Sequence, residues 1–337
     1  MEIFGLDIGS HTIKLVQLTK KQDKYELIAF HSAETPPRGL NSDAESDLNN
    51  LAEIIKKIHQ EAKVKTKNVV SALSQDQVYT RLINLPPLSE SELESALKWE
   101  AEQYVPLPLE EVILSHQVVG KKIEEGKEKI EVILAAAPTR LVEKLIKVLK
   151  TAGLTPVSLE MEIAAAARSV VYPEIKRAML IDLGAKATDL AIIEEGKIAL
   201  VHSLPTGGEA LTRALEFELG LETIQAEAYK KAYGLEKEKL EGKISEAITP
   251  VLEKITNEIE KTINFYQSQQ KTIDQIILIG GTANLPEISS FMAKKIGLEV
   301  QVGNPFARII NSNLAAKISS EMFPLYAVAI GLAMKEI

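Results

Sequence analysis

The first residue with a recognisable chemical role is Asp7, which ends a short apolar segment near the N-terminus. The residues after it that could hold phosphate are Gly9, Ser10, His11, Thr12 and Lys14. Glycine lets a backbone approach a ligand closely, and successive amides in a tight turn form a concave anion site. A carboxylate beside bound phosphates suits a hydrated Mg²⁺ ion. The pattern predicts a phosphate-binding turn with Asp7 at the metal, although an ordinary β-hairpin would use the same residue types.

A second segment repeats this pattern later in the chain. Asp182 ends another apolar segment, and the turn after it supplies Gly184, Ala185, Lys186 and Thr188. Asp7, Gly9 and Leu15 align with Asp182, Gly184 and Leu190 at one constant offset. Repetition of one strand-turn-strand plan predicts two related lobes. The two turns would then grip phosphates from opposite sides, with the metal between the two aspartates.

Three further segments could contact the rest of a nucleotide. Gly280, Gly281 and Thr282 follow a buried strand, and paired glycines would let a flat base lie against bare backbone; a tight strand-helix turn also favours glycine. Gly207 and Gly208 precede a helix. Glu227 and Lys230 share a face of the next predicted helix. They are predicted to contact ribose or base, the alternative being a solvated ion pair.

The composition excludes several classes of protein. The chain has 337 residues, is 45% hydrophobic and carries a formal net charge of −8, which disfavours a broad nucleic-acid surface. It contains no cysteine, and its five histidines show no metal-ligand spacing. Neither a Walker A motif nor a Gly-x-Ser-x-Gly motif is present. The N-terminus lacks signal-peptide features, and no run of about 18 apolar residues occurs, so we expect no membrane span.

The periodicity predicts two other features of the architecture. Residues 77–156 contain strands and two helices that could form a separate small subdomain, in which Ser89 and Glu92 make a capping box. The segment from Glu236 to Gln270 is predicted to be long, charged and helical.

In sequence order, the two turns, the Gly-Gly segment and a closing helix of small residues resemble the superfamily of actin, heat-shock chaperone ATPases and sugar kinases. The resemblance implies an α/β, two-lobed, duplicated RNase H-like fold that binds ATP with Mg²⁺. It implies that Asp7 and Asp182 organise the metal, directly or through water. It also places Glu162 at the first hinge helix, where this residue would position water for hydrolysis, and 326–331 in the second hinge helix.

The implied boundaries cover the whole chain. They are a first lobe (1–76), an inserted subdomain in that lobe (77–156), a first-lobe hinge helix (157–177), a second lobe (178–320, with a smaller subdomain at about 210–272) and a closing helix that returns to the first lobe (321–337).

A closer resemblance is to the PilM-like family of type IV pilus assembly proteins, which is related to FtsA. It is carried by two segments, 85–93 (LPPLSESEL) and 102–111 (EQYVPLPLEE). The resemblance implies a cytoplasmic ATP-binding adaptor, at most a slow ATPase. Its partner would be the short N-terminal cytoplasmic peptide of PilN, an inner-membrane protein, held in a groove between the first lobe and the inserted subdomain.

Trp99 is the predicted anchor of that groove. It lies roughly 140° from the centre of the apolar stripe of its helix, at about 100° per residue, and it is the only tryptophan of the chain. A tryptophan off the core stripe can anchor an interface or pack under the Pro106–Pro108 loop. The predicted partner contacts are Leu85, Trp99, Gln103, Tyr104 and Pro106.

Two alternative functions remain open from the sequence. One is a filament-forming protein like FtsA or MreB, since nothing in the sequence decides self-association. The other is a small-molecule kinase of the same superfamily, for which Asp76 is the available acid but no sugar-binding cluster accompanies it.

Overall fold

The computed structural model of the chain describes residues 1–124, 126–268, 270–310 and 314–337. Its strands are β1 Phe4–Ile8, β2 Thr12–Lys21, β3 Lys24–Glu34, β4 Asn68–Leu73, β5 Tyr79–Leu85, β6 Val112–Glu124, β7 Lys127–Pro138, β8 Thr155–Met161, β9 Arg177–Leu183, β10 Thr188–Glu194, β11 Lys197–Leu204, β12 Gln275–Ile279, β13 Val300–Val302 and β14 Ile309–Ile310. Its α-helices are α1 Glu45–Glu61, α2 Glu90–Tyr104, α3 Thr139–Thr151, α4 Glu162–Val170, α5 Gly208–Leu219, α6 Thr223–Tyr233, α7 Lys243–Gln267, α8 Ile288–Ile296 and α9 Ala327–Ala333.

Two sheets share one plan, which confirms the predicted duplication. In the first sheet the order is β14-β3-β2-β1-β4-β8, and in the second it is β11-β10-β9-β12-β13. Each begins with antiparallel hairpins, β1-β2-β3 and β9-β10-β11, and continues on the other side of the first strand with parallel strands. The central strands are buried on both faces, which their continuous apolar runs predict.

Helices cover the outer face of each sheet. The apolar face of α1, at helical spacing, packs with α3 over the first sheet. Helices α5, α7 and α8 cover the second sheet, with α6 packed against α5. The predicted single helix from Glu236 to Gln270 is wrong at its start, because Leu240, Glu241 and Gly242 adopt positive φ and α7 begins at Lys243.

Helices α4 and α9 cross between the two sheets, in backbone contact. A Cβ added to Gly331 of α9 would overlap the carbonyl oxygen of Ala165 in α4. A Cβ added to Gly5 of β1 would likewise overlap the carbonyl oxygen of Ala329. Alanines and glycines are therefore required here by the distance between backbones, and this crossing connects the lobes through one central core.

Glu160, on β8, forms ion pairs with residues of α4 and of the segment after α9. The two terminal nitrogens of the Arg168 guanidinium, Nη1 and Nη2, each lie 2.8 Å from one of its carboxylate oxygens, and Lys335 Nζ lies 2.9 Å away. Arg168 also donates to the carbonyl oxygen of Gly331 at 2.6 Å. Burial by itself raises the pKa of Glu160, but the ion pairs outweigh it and hold that pKa below its ordinary value. The network ties β8, α4 and the end of α9 together.

The strands β5, β7 and β6, in that order, form a third sheet. Helix α2 covers one of its faces through Leu93, Leu97 and Ala101. The other face contributes Val119 and Ile133 to the central core, and β11 of the second lobe contacts β5 and β6. This sheet thus touches both lobes. The last part of the predicted insertion, 77–156, packs with the first lobe and not with this sheet. After residue 138, α3 packs on α1 and β8 joins the first sheet.

None of the helices within the described ranges is both long enough and apolar enough to cross a membrane.

Substitution of Gly331 by alanine tests the helix crossing. The added methyl group must push α4 and α9 apart, so we expect a loss of about 1–3 kcal/mol in the free energy of unfolding, or more. Urea denaturation measures it. Gly281→Ala is the matched control, because a Cβ there meets nothing within 4 Å; equal stability of the two variants would contradict the close contact.

Glu160→Gln tests the charge network. The Glu160 carboxylate is mostly buried, whereas Arg168 and Lys335 are partly exposed, so removing its charge should cost about 1–3 kcal/mol at neutral pH. Because the folded pKa of Glu160 is lowered, its contribution is present above the ordinary value of 4.5 and is lost as pH falls below it. Urea denaturation at pH 7 and pH 4 measures this loss. Glu336→Gln is the control, since the Lys20–Glu336 pair is exposed and should contribute under about 1 kcal/mol; equal effects in the two variants would refute the assignment.

Candidate functional site

A cleft of about 720 Å³ lies between the two lobes and is lined by both predicted phosphate turns. The predicted cofactor residues that line it are Asp7, Gly9, Ser10, His11, Thr12, Lys14, Asp182, Gly184, Ala185, Lys186, Gly208, Glu227, Lys230, Gly280, Gly281 and Thr282. Glu162, at the first position of α4, also lines it. Thr188 and Gly207 do not. The structure therefore brings predicted residues from six separate segments to one cavity.

The first turn is formed by the β1-β2 hairpin. The amide of Gly9 donates to the carbonyl oxygen of Thr12 at 3.1 Å and closes the turn. Asp7 and Lys14 are register partners in the two strands, and their side chains form a buried ion pair at 3.0 Å. The carboxylate of Asp7 thus has a fixed counter-ion in the free protein.

The second turn, in the β9-β10 hairpin, has the opposite charge arrangement. The register partner of Asp182 is Asp189, so an acid stands where the first lobe has Lys14. Asp189 is buried and accepts a hydrogen bond from the Ser203 hydroxyl at 2.5 Å. Asp189 also lines the cleft, and our sequence analysis missed it. The repeat in the sequence could have identified it, because Asp189 stands at the same position relative to Asp182 as Lys14 does relative to Asp7.

The uncompensated acids have raised pKa values. Burial, together with Asp189 and Asp7, raises the pKa of Asp182 to about 7. Burial raises the pKa of Asp189 to about 6, against the effect of the Ser203 hydrogen bond. Burial and the neighbouring aspartates raise the pKa of Glu162 well above its ordinary value. Ionising these acids together is therefore unfavourable in the free cleft, and a cation between them would favour their charged forms.

The arrangement of the acids fits a hydrated ion. Among the residues that the structure describes, no group of three or more His, Asp or Glu side chains is placed to hold a metal directly. Mg²⁺ keeps several of its waters and is usually bound through one or two carboxylates and substrate phosphates. Asp7 and Asp182, on opposite lobes of the cleft, match that manner of binding.

Gly207 and Thr188 support the second turn from behind. The amides of Gly208 and Glu209, at the start of α5, donate to the carbonyl oxygens of Gly184 and Ala185 at 2.9 and 2.8 Å. A Cβ at Gly207 would lie 2.6 Å from the Gly184 oxygen, so only glycine permits this approach. Thr188 donates from its hydroxyl to the carbonyl oxygen of Thr206. Both residues hold the turn against α5.

Lys230 and Glu227 form a buried network and not a solvated pair. Lys230 Nζ lies 2.6 Å from Glu227, 2.8 Å from the Thr212 hydroxyl and 2.9 Å from the Gly208 carbonyl oxygen. Burial raises the pKa of Glu227, but hydrogen bonds from Lys230 and Thr212 outweigh it and lower that pKa to about 2. This network fixes α6 to the start of α5 at the edge of the cleft.

The Gly280–Gly281 segment presents bare backbone, as the sequence predicts. Gly280 has a φ of 85°, and a Cβ there would overlap the Asp182 carboxylate. Gly281 has open space where its side chain would be. A flat group could therefore lie against this part of the cleft.

The predicted partner residues lie on the third sheet and α2, away from the cleft. Trp99 is 62% exposed, which excludes the alternative that it packs under the Pro106–Pro108 loop. Gln103 and Pro106 are exposed, and the ring of Tyr104 stacks on the Arg81 guanidinium at 3.1 Å. The prediction that Leu85 contacts the partner is wrong. Its side chain is buried in the core between the sheet and α2 and is not at a surface.

Comparison with known proteins places the chain in a family. The family description "Type IV pilus assembly protein PilM" matches residues 5–337. A solved structure described as a PilM-PilN type IV pilus biogenesis complex has a chain 30% identical, covering 99% of this chain and 98% of that one, with a TM-score of 0.85.

More distant similarities concern the fold. The cell division protein FtsA of Pseudomonas aeruginosa is 21% identical over 98% of this chain and 88% of its own. The structure of MreB5 of Spiroplasma citri bound to ADP is 15% identical, with a TM-score of 0.56, over 98% of this chain and 94% of that one. These relatives confirm the predicted two-lobed actin-like fold. The match over nearly the whole length shows that the chain belongs to the PilM family of type IV pilus assembly proteins.

Proposed function

We propose that this protein is a cytoplasmic adaptor of type IV pilus assembly that holds ATP with Mg²⁺ and captures the N-terminal cytoplasmic peptide of PilN at the inner membrane. The observation that carries the nucleotide part is the meeting of two related turns across one cleft, with buried carboxyl groups on both lobes. The family and the PilM-PilN neighbour support the partner.

Each part of the cleft has a role in this proposal. The amides and hydroxyls of the two turns bind phosphate oxygens, helped by Lys14 and Lys186. Asp7 and Asp182 hold the waters of Mg²⁺, which supplies the charge that offsets both the phosphates and the acids. The base lies on Gly280 and Gly281, and the Glu227–Lys230 network faces the ribose.

Hydrolysis, where it occurs, would be slow. Glu162 is the residue placed to position a water molecule, because it opens α4 at the floor of the cleft. Its raised pKa, caused by burial and by the nearby aspartates, keeps it protonated to a higher pH than an ordinary glutamate. Mg²⁺ beside the aspartates would lower this pKa again. The slow rate is therefore what the family resemblance implies, and it does not follow from the protonation of Glu162.

The proposed surface for PilN consists of Trp99, Gln103 and Tyr104 on α2 and Pro106 in the loop that follows it. Exposed aromatic side chains are frequent anchors of interfaces. Because the opposite face of this sheet packs into the central core, a partner bound here would contact a unit that touches both lobes.

Nucleotide binding is tested by thermal unfolding with and without ATP and Mg²⁺. At about 100 times the dissociation constant, we expect a gain of about 2.7 kcal/mol in the free energy of unfolding. Asp182→Asn keeps the shape of the side chain but removes the charge, so its gain should be smaller when Mg²⁺ is present. Asp23→Asn, in an exposed turn, is the control. No gain in the unsubstituted protein, or the same gain in Asp182→Asn, would refute the proposal.

Partner capture is tested by titrating a fluorescent peptide with the sequence of the PilN N-terminus. Trp99→Ala should weaken binding by at least tenfold, since loss of an interface anchor costs about 2 kcal/mol or more. Phe217→Ala is a matched control, because Phe217 is an exposed aromatic residue on α5 of the second lobe. If Trp99→Ala binds as tightly as Phe217→Ala, the proposed surface is wrong.

A further inference from the structure

The basic side chains that line the cleft differ in whether they have a partner. They are His11, Lys14, Arg38, Lys186, Lys230 and Lys231. Lys14 pairs with Asp7, His11 with Glu209, and both Lys230 and Lys231 with Glu227. Over the described ranges of the chain, the side chains of Arg38 and Lys186 make no hydrogen bond or ion pair. The cleft thus has one uncommitted cation on each lobe.

Arg38 belongs to the loop that follows β3, and this loop is attached to the first phosphate turn. The Thr35 hydroxyl donates to the carbonyl oxygen of Gly9 at 2.7 Å, and the Thr35 amide donates to that of His11 at 2.9 Å. On the other side, Asn41 accepts from the Gln77 side chain at 2.8 Å. Arg38 is therefore held beside the turn that faces Lys186 across the cleft.

The backbone of Arg38 is held in an unfavourable conformation. Its φ is 70°, in the left-handed region that non-glycine residues rarely adopt. Two hydrogen bonds of 2.9 and 2.8 Å, from Gly39 to Pro36 and from Asn41 to Arg38, maintain it. The loop thus fixes the backbone of an exposed arginine at the edge of the cleft.

We propose that Arg38 binds the outermost phosphate of the nucleotide and sets the preference for a triphosphate over a diphosphate. This inference rests on the proposed function, in which the base lies on Gly280–Gly281 of the second lobe. The phosphates then extend toward the first turn and the Arg38 loop beside it. A guanidinium binds phosphate oxygens through two parallel hydrogen bonds, which makes it suited to this task.

The test is the affinity of each variant for ATP and for ADP, with Mg²⁺, by isothermal titration calorimetry. Arg38→Ala should weaken ATP binding about tenfold or more, the value of a charged hydrogen bond, and ADP binding by less than about twofold. Arg38→Gly should show the same ATP-specific loss. Because glycine adopts positive φ without cost, it separates the loss of charge from a change in loop shape. Arg38→Lys should retain part of the preference.

The outcomes separate this inference from the function on which it rests. If the unsubstituted protein binds ATP and Arg38→Gly binds ATP as tightly, the role of Arg38 is wrong and the nucleotide cleft stands. Equal losses for ATP and ADP in Arg38→Gly also overturn the role. If the unsubstituted protein binds neither nucleotide, both proposals fail together.

Discussion

The backbone contact between α4 and α9 is the constraint on which the rest of the structure depends. Gly331 lies against the Ala165 carbonyl, so the two helices cross with no side chain between them. The core on either side of this crossing joins the two sheets, and the ion pairs of Glu160 fix the ends of the helices. Glu162 opens α4, so this packing also determines where its carboxyl group lies in the cleft.

The two turns that line the cleft have the same backbone plan because the lobes are duplicated. They differ in charge at one position. The first turn pairs Asp7 with Lys14, whereas the second places Asp182 opposite Asp189. Burial of these acids and their mutual repulsion raise the pKa of Asp182 to about 7. A symmetric pair of turns with two lysines would be compensated without a metal. The asymmetry explains why a cation is expected between lobes that otherwise follow one plan.

Local patterns predicted much of the fold and of the cleft from the sequence. The two turns, the Gly-Gly segment and the α2 capping box depend on residues close together in the chain, and the structure contains each of them. Features that depend on pairing between strands or on distant packing were missed. Asp189 becomes important only once its register with Asp182 is known. We expected Leu85 to lie at a surface, but α2 packs over this residue and buries its side chain. The predicted helix is interrupted before α7 because Leu240 and Glu241 adopt positive φ, which these residue types rarely do.

The inserted sheet connects these observations to assembly. It presents Trp99 on its outer side and contributes Val119 and Ile133 to the core shared by both lobes. The sheet that carries the proposed partner surface is therefore in contact with both of the lobes that line the cleft. A crystal structure of the protein with Mg²⁺ and a non-hydrolysable ATP analogue would test the nucleotide cleft most directly. We expect the phosphates between 9–12 and 184–188, with the metal waters on Asp7 and Asp182. A nucleotide bound with its phosphates outside both turns, or no nucleotide in the cleft, would contradict this description.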